Sequence, residues 1–165
     1  NSICKLYNLQ TLKLCQCLFL EILPSEMKDL VNLRHLDVRG SSLKEMPRRL
    51  GNLKDLQFLS EFIVGKEHET GIRELGGISK LKGWIKINKL ENVKNANEAS
   101  EARMMEKDFN GLTLSWSKHG DVEDTRCERD ILANLQPHWD LEQLQIDNYM
   151  GTIFPDWLGS PSYHH

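Results

Sequence analysis

The chain has 165 residues, 39% of them hydrophobic and 27% charged, with a formal net charge of -3 and a mean hydropathy of -0.48. These values fit one soluble globular unit and suggest neither a nucleic-acid binder nor a membrane protein. No apolar run approaches the roughly 20 residues needed to cross a bilayer, and NSICKLYNLQ has neither the basic nor the apolar segment of a secretory signal. The charge is uneven: residues 1–55 hold nine Lys/Arg and six Asp/Glu, whereas residues 56–165 hold twelve and eighteen. The chain lacks an initiator Met and begins in mid-pattern, so we expect a piece of a longer polypeptide, with any catalytic part outside it.

The first elements are two copies of one unit. Leu9, Leu12, Leu14 and Cys17 align with Leu33, Leu36, Val38 and Ser41 at an offset of 24; Leu23, Pro24, Met27 and Leu30 align with Met46, Pro47, Leu50 and Leu53 at an offset of 23. Both copies read L-x-x-L-x-L, a turn, then L-x-x-[LM]-P-x-x-[LM]-x-x-L, the pattern of a leucine-rich repeat. The L-x-L core predicts a short strand with its two apolar residues inward and the middle residue outward. One coil cannot bury its leucines alone, so coils stack and their strands form a parallel sheet. Cys15 and Cys17 share a strand face and are poorly placed for a mutual disulfide. Without C-x-x-C or zinc spacing, Cys4, Cys15, Cys17 and Cys127 read as reduced thiols in a cytosolic protein.

Later coils are longer and less regular. A third copy starts at Leu56, Leu59 and Phe62; Ile85/Ile87, Leu112/Leu114 and Leu144/Ile146 supply further inward pairs, so strands from Leu12 onward are separated by 24, 23, 26, 27 and 32 residues. Residues 1–60 are therefore taken as regular repeats and 61–165 as irregular, longer repeats with helical insertions. NANEASEARMMEKDF predicts a helix with Asn95 as N-cap and Glu98 three residues on, and with Ala99, Ala102 or Arg103, Met105 and Phe109 near one face. ERDILANLQP predicts a second helix, stopped at Pro137 and burying Ile131, Leu132 and Leu135.

An enzymatic site is not found. GKEHETG lacks the spacing of a phosphate-binding loop. In KHGDVEDTRCERD, His119, Asp121, Glu123, Asp124 and Cys127 could in principle ligate a metal, but neither a calcium-loop pattern nor paired histidines are present, and a solvated loop is expected. His164 and His165 read as an accidental terminal pair. No cofactor is expected in this chain.

The ordered blocks LPSEMKDLVNLRHLDVRG, MPRRLGNLKDLQFLSEFIVGK, GIRELGGISKLKGWIKINKLENV, NEASEARMMEKDF, LTLSW, ILANLQPH and NYMGTIFPDWLG go beyond a generic repeat. The sequence resembles the leucine-rich-repeat region of plant coiled-coil, nucleotide-binding immune receptors of the RPP13-like disease resistance family. One departure is Asn148, where that family usually has glycine; Asn tolerates the left-handed conformation, so the turn is expected to survive. The resemblance implies a cytoplasmic parent receptor with an N-terminal coiled coil and an ADP/ATP-binding switch domain, neither in this chain. It further implies that the repeat region restrains the switch and senses a pathogen effector or a guarded host protein.

The expected architecture is thus an α/β solenoid, a curved parallel sheet on the concave face with irregular, partly helical convex returns. The candidate protein-binding residues are the outward ones beside each inward pair: Lys13, Arg34, Asp37, Arg39, Lys86, Asn88, Thr113, Ser115, Trp116, Gln145 and Asp147. The expected partner is a protein: an effector, a guarded host protein, or the receptor's own nucleotide-binding and coiled-coil domains. The alternative is a constitutive protein-interaction scaffold without a switch domain.

Overall fold

The computed structural model describes residues 2–118 and 125–159. Among the described residues seven strands form two sheets, all of whose pairings are parallel. The first sheet runs β1 (Thr11–Lys13), β2 (His35–Asp37), β3 (Phe58–Leu59); the second runs β4 (Glu61–Ile63), β5 (Lys82–Asn88), β6 (Asp108–Ser115), β7 (Gln143–Asp147). Every strand pairs in chain order, as a solenoid requires, because each coil can bury its apolar face only against its neighbours.

The inward row follows from period-2 alternation. Leu12 pairs with Leu36 and Leu36 with Leu59; Ile85 pairs with Leu112 and Leu112 with Leu144. Leu36, Leu59, Ile85 and Leu112 are buried, whereas Leu12 and Leu144, on the first and last strands, are only partly covered. Each fully buried leucine contributes roughly 1.5–3 kcal/mol of burial free energy, and this row joins the convex residues in one continuous core.

The two sheets meet at a slip. A separation of 26 residues would place Leu59 beside Ile85, but β4 pairs Phe62 with Ile87, and the Lys86 amide donates to the Ser60 carbonyl at 3.0 Å. Ile85 therefore lies opposite Ser60. Leu59 and Phe62 are both buried although three residues apart, which alternation alone forbids, so the chain bends between them. Ser60 holds the bend: its hydroxyl accepts the Val38 amide at 2.8 Å.

The returns on the convex side are mostly 3-10 turns. Ser25–Asp29 and Leu50–Asn52 bury Met27 and Leu50, and Leu30 and Leu53 follow at 0% exposure. Two helices replace this plan later: α1 (Ala96–Ser100) and α2 (Thr125–Ala133). Asn95 caps α1 as its sequence requires, its side-chain oxygen accepting the Glu98 amide at 2.9 Å. Glu98 reaches back to the Lys94 amide at 2.8 Å, one residue earlier than a standard capping box.

The first helix is shorter than its composition predicts. It stops at Ser100, Arg103 adopts φ 53°, and a 3-10 turn follows over Met104–Glu106. The break rotates the methionine pair, so Met104 is buried and Met105 only partly so, reversing the expectation for Met105. Phe109 is buried from within β6 rather than from the helix. In α2, Ile131, Leu132 and Leu135 are buried as expected. None of the four cysteines forms a disulfide.

A left-handed residue recurs two positions after the second inward strand residue: Gln16 after Leu14, Gly40 after Val38, Lys89 after Ile87 and Asn148 after Ile146. Only Gly40 has no Cβ to strain there, and a Cβ on it would sit 2.7 Å from the Gln16 side chain packed above it. Asn148 retains the turn at φ 58°, and its amide donates to the Trp116 carbonyl at 3.1 Å.

Candidate functional site

The outward residues of the strands form the concave wall. Register places Lys13 beside Asp37, Glu61 beside Lys86, Lys86 beside Thr113, and Thr113 beside Gln145. Ser115 lies beside Asp147, and Asn88 beside Ile63. Ten of the eleven sequence-selected residues thus lie along this wall or at its edges, with Arg34 just ahead of β2 and Arg39 just beyond it.

Trp116 is the exception. Leu112 and Leu114 point inward, so Trp116 does too, and it is only 2% exposed. Its indole N–H donates to the Glu128 carboxylate on α2, and its ring meets Tyr149 edge-on with centroids 5.2 Å apart. It is a core residue that ties β6 to the convex helix, not a surface anchor. Burial pushes the Glu128 carboxyl above its ordinary range, partly opposed by the indole hydrogen bond.

Asp37 is also withdrawn from solvent, at 5% exposure. The Arg39 guanidinium grips it bidentately, Nε to Oδ1 at 3.0 Å and Nη2 to Oδ2 at 2.6 Å. These hydrogen bonds hold the Asp37 carboxyl far below the usual carboxylate range. Arg39 itself stays open to solvent. Around the pair lies a depression of about 390 Å³ lined by Thr11, Lys13, His35, Asp37, Arg39 and Phe58. Farther along, Glu61 is raised above its ordinary value because burial outweighs the attraction of Lys86.

Sequence reasoning passed over the aromatic part of this wall. Trp84 is outward on β5 and 51% exposed, and it pairs with Gly111 of β6. A Cβ on Gly111 would fall 2.0 Å from the Trp84 ring, so the indole rests directly on the glycine backbone. On β2 and β3, exposed His35 and half-buried Phe58 pair in register, their rings 6.1 Å apart. The signal was present: Trp84 falls between Lys82 and Lys86 at outward spacing from Ile85 and Ile87.

The candidate metal ligands His119, Asp121, Glu123 and Asp124 lie outside the described residues, as do His164 and His165. Among the described residues no cluster of three or more His, Cys, Asp or Glu is placed to hold a metal ion, and no helix is long and apolar enough to cross a membrane.

With the stacked coils in place, comparison with known proteins decides the family. A family model described as R13L1/DRL21 LRRs matches residues 72–165, over half of the chain. The chain belongs to the R13L1/DRL21 leucine-rich repeats. A putative disease resistance protein of Arabidopsis thaliana is 39% identical over 98% of this chain and 12% of its own length. The putative disease resistance protein RGA4 of Solanum bulbocastanum is 37% identical over 90% of the chain and 15% of its own length. The putative disease resistance RPP13-like protein 1 of Arabidopsis thaliana is 41% identical over 62% of the chain and 10% of its own length. This R13L1/DRL21 chain is thus a leucine-rich-repeat region of the plant disease resistance type, spanning a small part of the relatives it matches.

Proposed function

We propose that the concave wall is the recognition surface of an intracellular disease resistance receptor, taking a pathogen effector or a guarded host protein and restraining the receptor until that partner arrives. The observation that carries this reading is the register of β4 to β7, which sets outward polar side chains from four strands in open rows above a closed core. A preformed wall of this kind offers contacts at a lower ordering cost on binding. Support for the biological setting comes from the relatives' description as disease resistance proteins.

In this reading the partner activates by binding the released state more tightly than the restrained one, since a ligand shifts an equilibrium only through differential affinity. The nucleotide switch belongs to the parent protein. The test is charge reversal on the wall in the full-length receptor. Lys13→Glu with Lys86→Glu is expected to abolish partner-triggered signalling or to raise basal signalling, with accumulation unchanged. Asp37 is unsuitable for reversal, because a lysine there would bury a second cation against Arg39. Unaltered signalling in the folded double variant would remove this wall from recognition. Signalling that needs neither nucleotide nor trigger would favour the constitutive scaffold.

A further inference from the structure

Trp84 is the one large aromatic ring on the described strands that is both outward and more than half exposed. Solvent contact on this scale is unusual for tryptophan in a monomeric surface and is a feature of binding hot spots. The ring is also fixed: it lies on Gly111, whose missing side chain makes the space, so little freedom is lost when a partner covers it. In the coils before it, Phe58 and His35 pair in register and line the depression beside Lys13.

The charges around these rings are lopsided. Lys13, Lys82 and Lys86 make no ion pair through their ammonium groups among the described residues. The nearby carboxylates are mostly occupied or recessed: Asp37 is held by Arg39, Asp55 by Lys80 at 2.6 Å, and Glu61 is half-buried. Asp108, beside Lys82 in register, is the exposed exception. From β1 to β5 is three strand steps, about 14 Å at the usual inter-strand spacing, a span of roughly four to five extended residues.

We infer that the rings of His35, Phe58 and Trp84, flanked by Lys13, Lys82 and Lys86, bind an acidic peptide segment that lays an aromatic or large apolar side chain against Trp84. This deepens, and rests on, the reading of the concave wall as a recognition surface. A single-stranded nucleic acid would use the same combination of rings and cations, but Glu142, just ahead of β7, and Asp147, at its end, set carboxylates on the far side of the wall, which repel a phosphate backbone. Peptide carboxylates need reach only the β1–β5 part.

The experiment is a differential selection. Random peptides of about 12 residues displayed on phage are panned against the full-length protein carrying this chain, with counter-selection against its Trp84→Ala variant and oligo(dT) as competitor. The expected survivors carry Asp or Glu around a Trp, Tyr or Phe; synthetic copies bind about tenfold more weakly to Trp84→Ala and lose affinity as salt rises. If Trp84→Ala fails to accumulate, Lys13→Glu with Lys86→Glu replaces it as the counter-selecting variant. Survivors that are basic or uncharged, no difference between wild type and variant, or displacement by oligo(dT) would each overturn the inference. Its failure is separable from failure of the wall itself: signalling altered by Lys13→Glu with Lys86→Glu but no acidic survivors leaves the recognition surface standing with a different partner chemistry.

Discussion

The coils before Ser60 and those after it solve the same problem by different means. In the first sheet the strands have two or three residues, too few for the ladder alone to fix the stack. The convex turns and near-constant repeat length supply the rest, together with ion pairs between successive coils such as Lys44–Glu21 at 2.7 Å and Arg49–Glu69 at 2.7 Å. In the second sheet β5 to β7 have seven, eight and five residues, and the returns between them hold helices. There the coils are tied by side chains that reach the next coil: the Trp116 ring to Tyr149, and the Trp157 indole to the Leu132 carbonyl at 3.1 Å. Regularity and specific buried anchors are thus alternative ways to stack coils. Exposed ion pairs contribute little individually, typically under about 1 kcal/mol, so the regular half depends mainly on its repeated leucines.

This contrast can be broken most strongly at Trp116. Trp116→Ala removes a buried indole that bridges β6 and α2, and should destabilise by about 3–5 kcal/mol, with denaturant melts showing the later coils unfolding before the first sheet. A single coincident transition would show that the two halves are one cooperative unit. Next comes Lys107, 1% exposed, with its ammonium donating to the Ile78 carbonyl at 3.1 Å. Burial pushes its pKa down to about 8 from an ordinary 10.5. The unfolded chain therefore binds more protons between those values, and stability should rise with pH across that window, by on the order of 2 kcal/mol. Thermal melts from pH 8 to 10 should show this gain in the wild type and lose it in Lys107→Met.

The regular half gives smaller effects of the same sign, in an acid window. Asp37 titrates below its ordinary value of 3.8 because of Arg39, so the pair's stabilisation is present above that value and is lost as the pH falls below it. With Arg39 largely in solvent, the effect is screened and small; Arg39→Gln should slightly flatten the acid limb of the denaturation curve. Smallest is Gln16→Gly, which relieves a left-handed φ of 60° and should stabilise by roughly 0.5 kcal/mol in urea melts.

Much of the fold was legible because leucine spacing translates directly into burial. Leu12, Leu36 and Leu59 fall in register, and so do Ile85, Leu112 and Leu144, because an inward residue has nowhere else to go. Asn95 marked a helix start through local backbone chemistry, whereas the second helix ends at Ala133, ahead of the expected stop at Pro137. The slip at Ser60 was not legible, since both Leu59 and Phe62 look inward and only a bend satisfies both. Nor was the choice of Met104 over Met105, which depends on a left-handed Arg103 that no local preference demands. On the wall, the expectation of an outward Trp116 fails because counting from Leu114 sends it inward, and Trp84 was passed over although it alternates with inward Ile85. The missing information was parity along the strand, which the sequence contained.

Strands whose paired residues lie 24, 23, 25, 27 and 32 positions apart in the chain all arrive beside their neighbours at ladder distance. Variation in loop length is therefore discharged mainly on the outer side of the arc, while the inner rows depart from even register at the Ser60 bend and by one residue between Gly83 and Trp84. Such a body can accept new segments at its back while the pitch of the rows that meet another molecule stays the same.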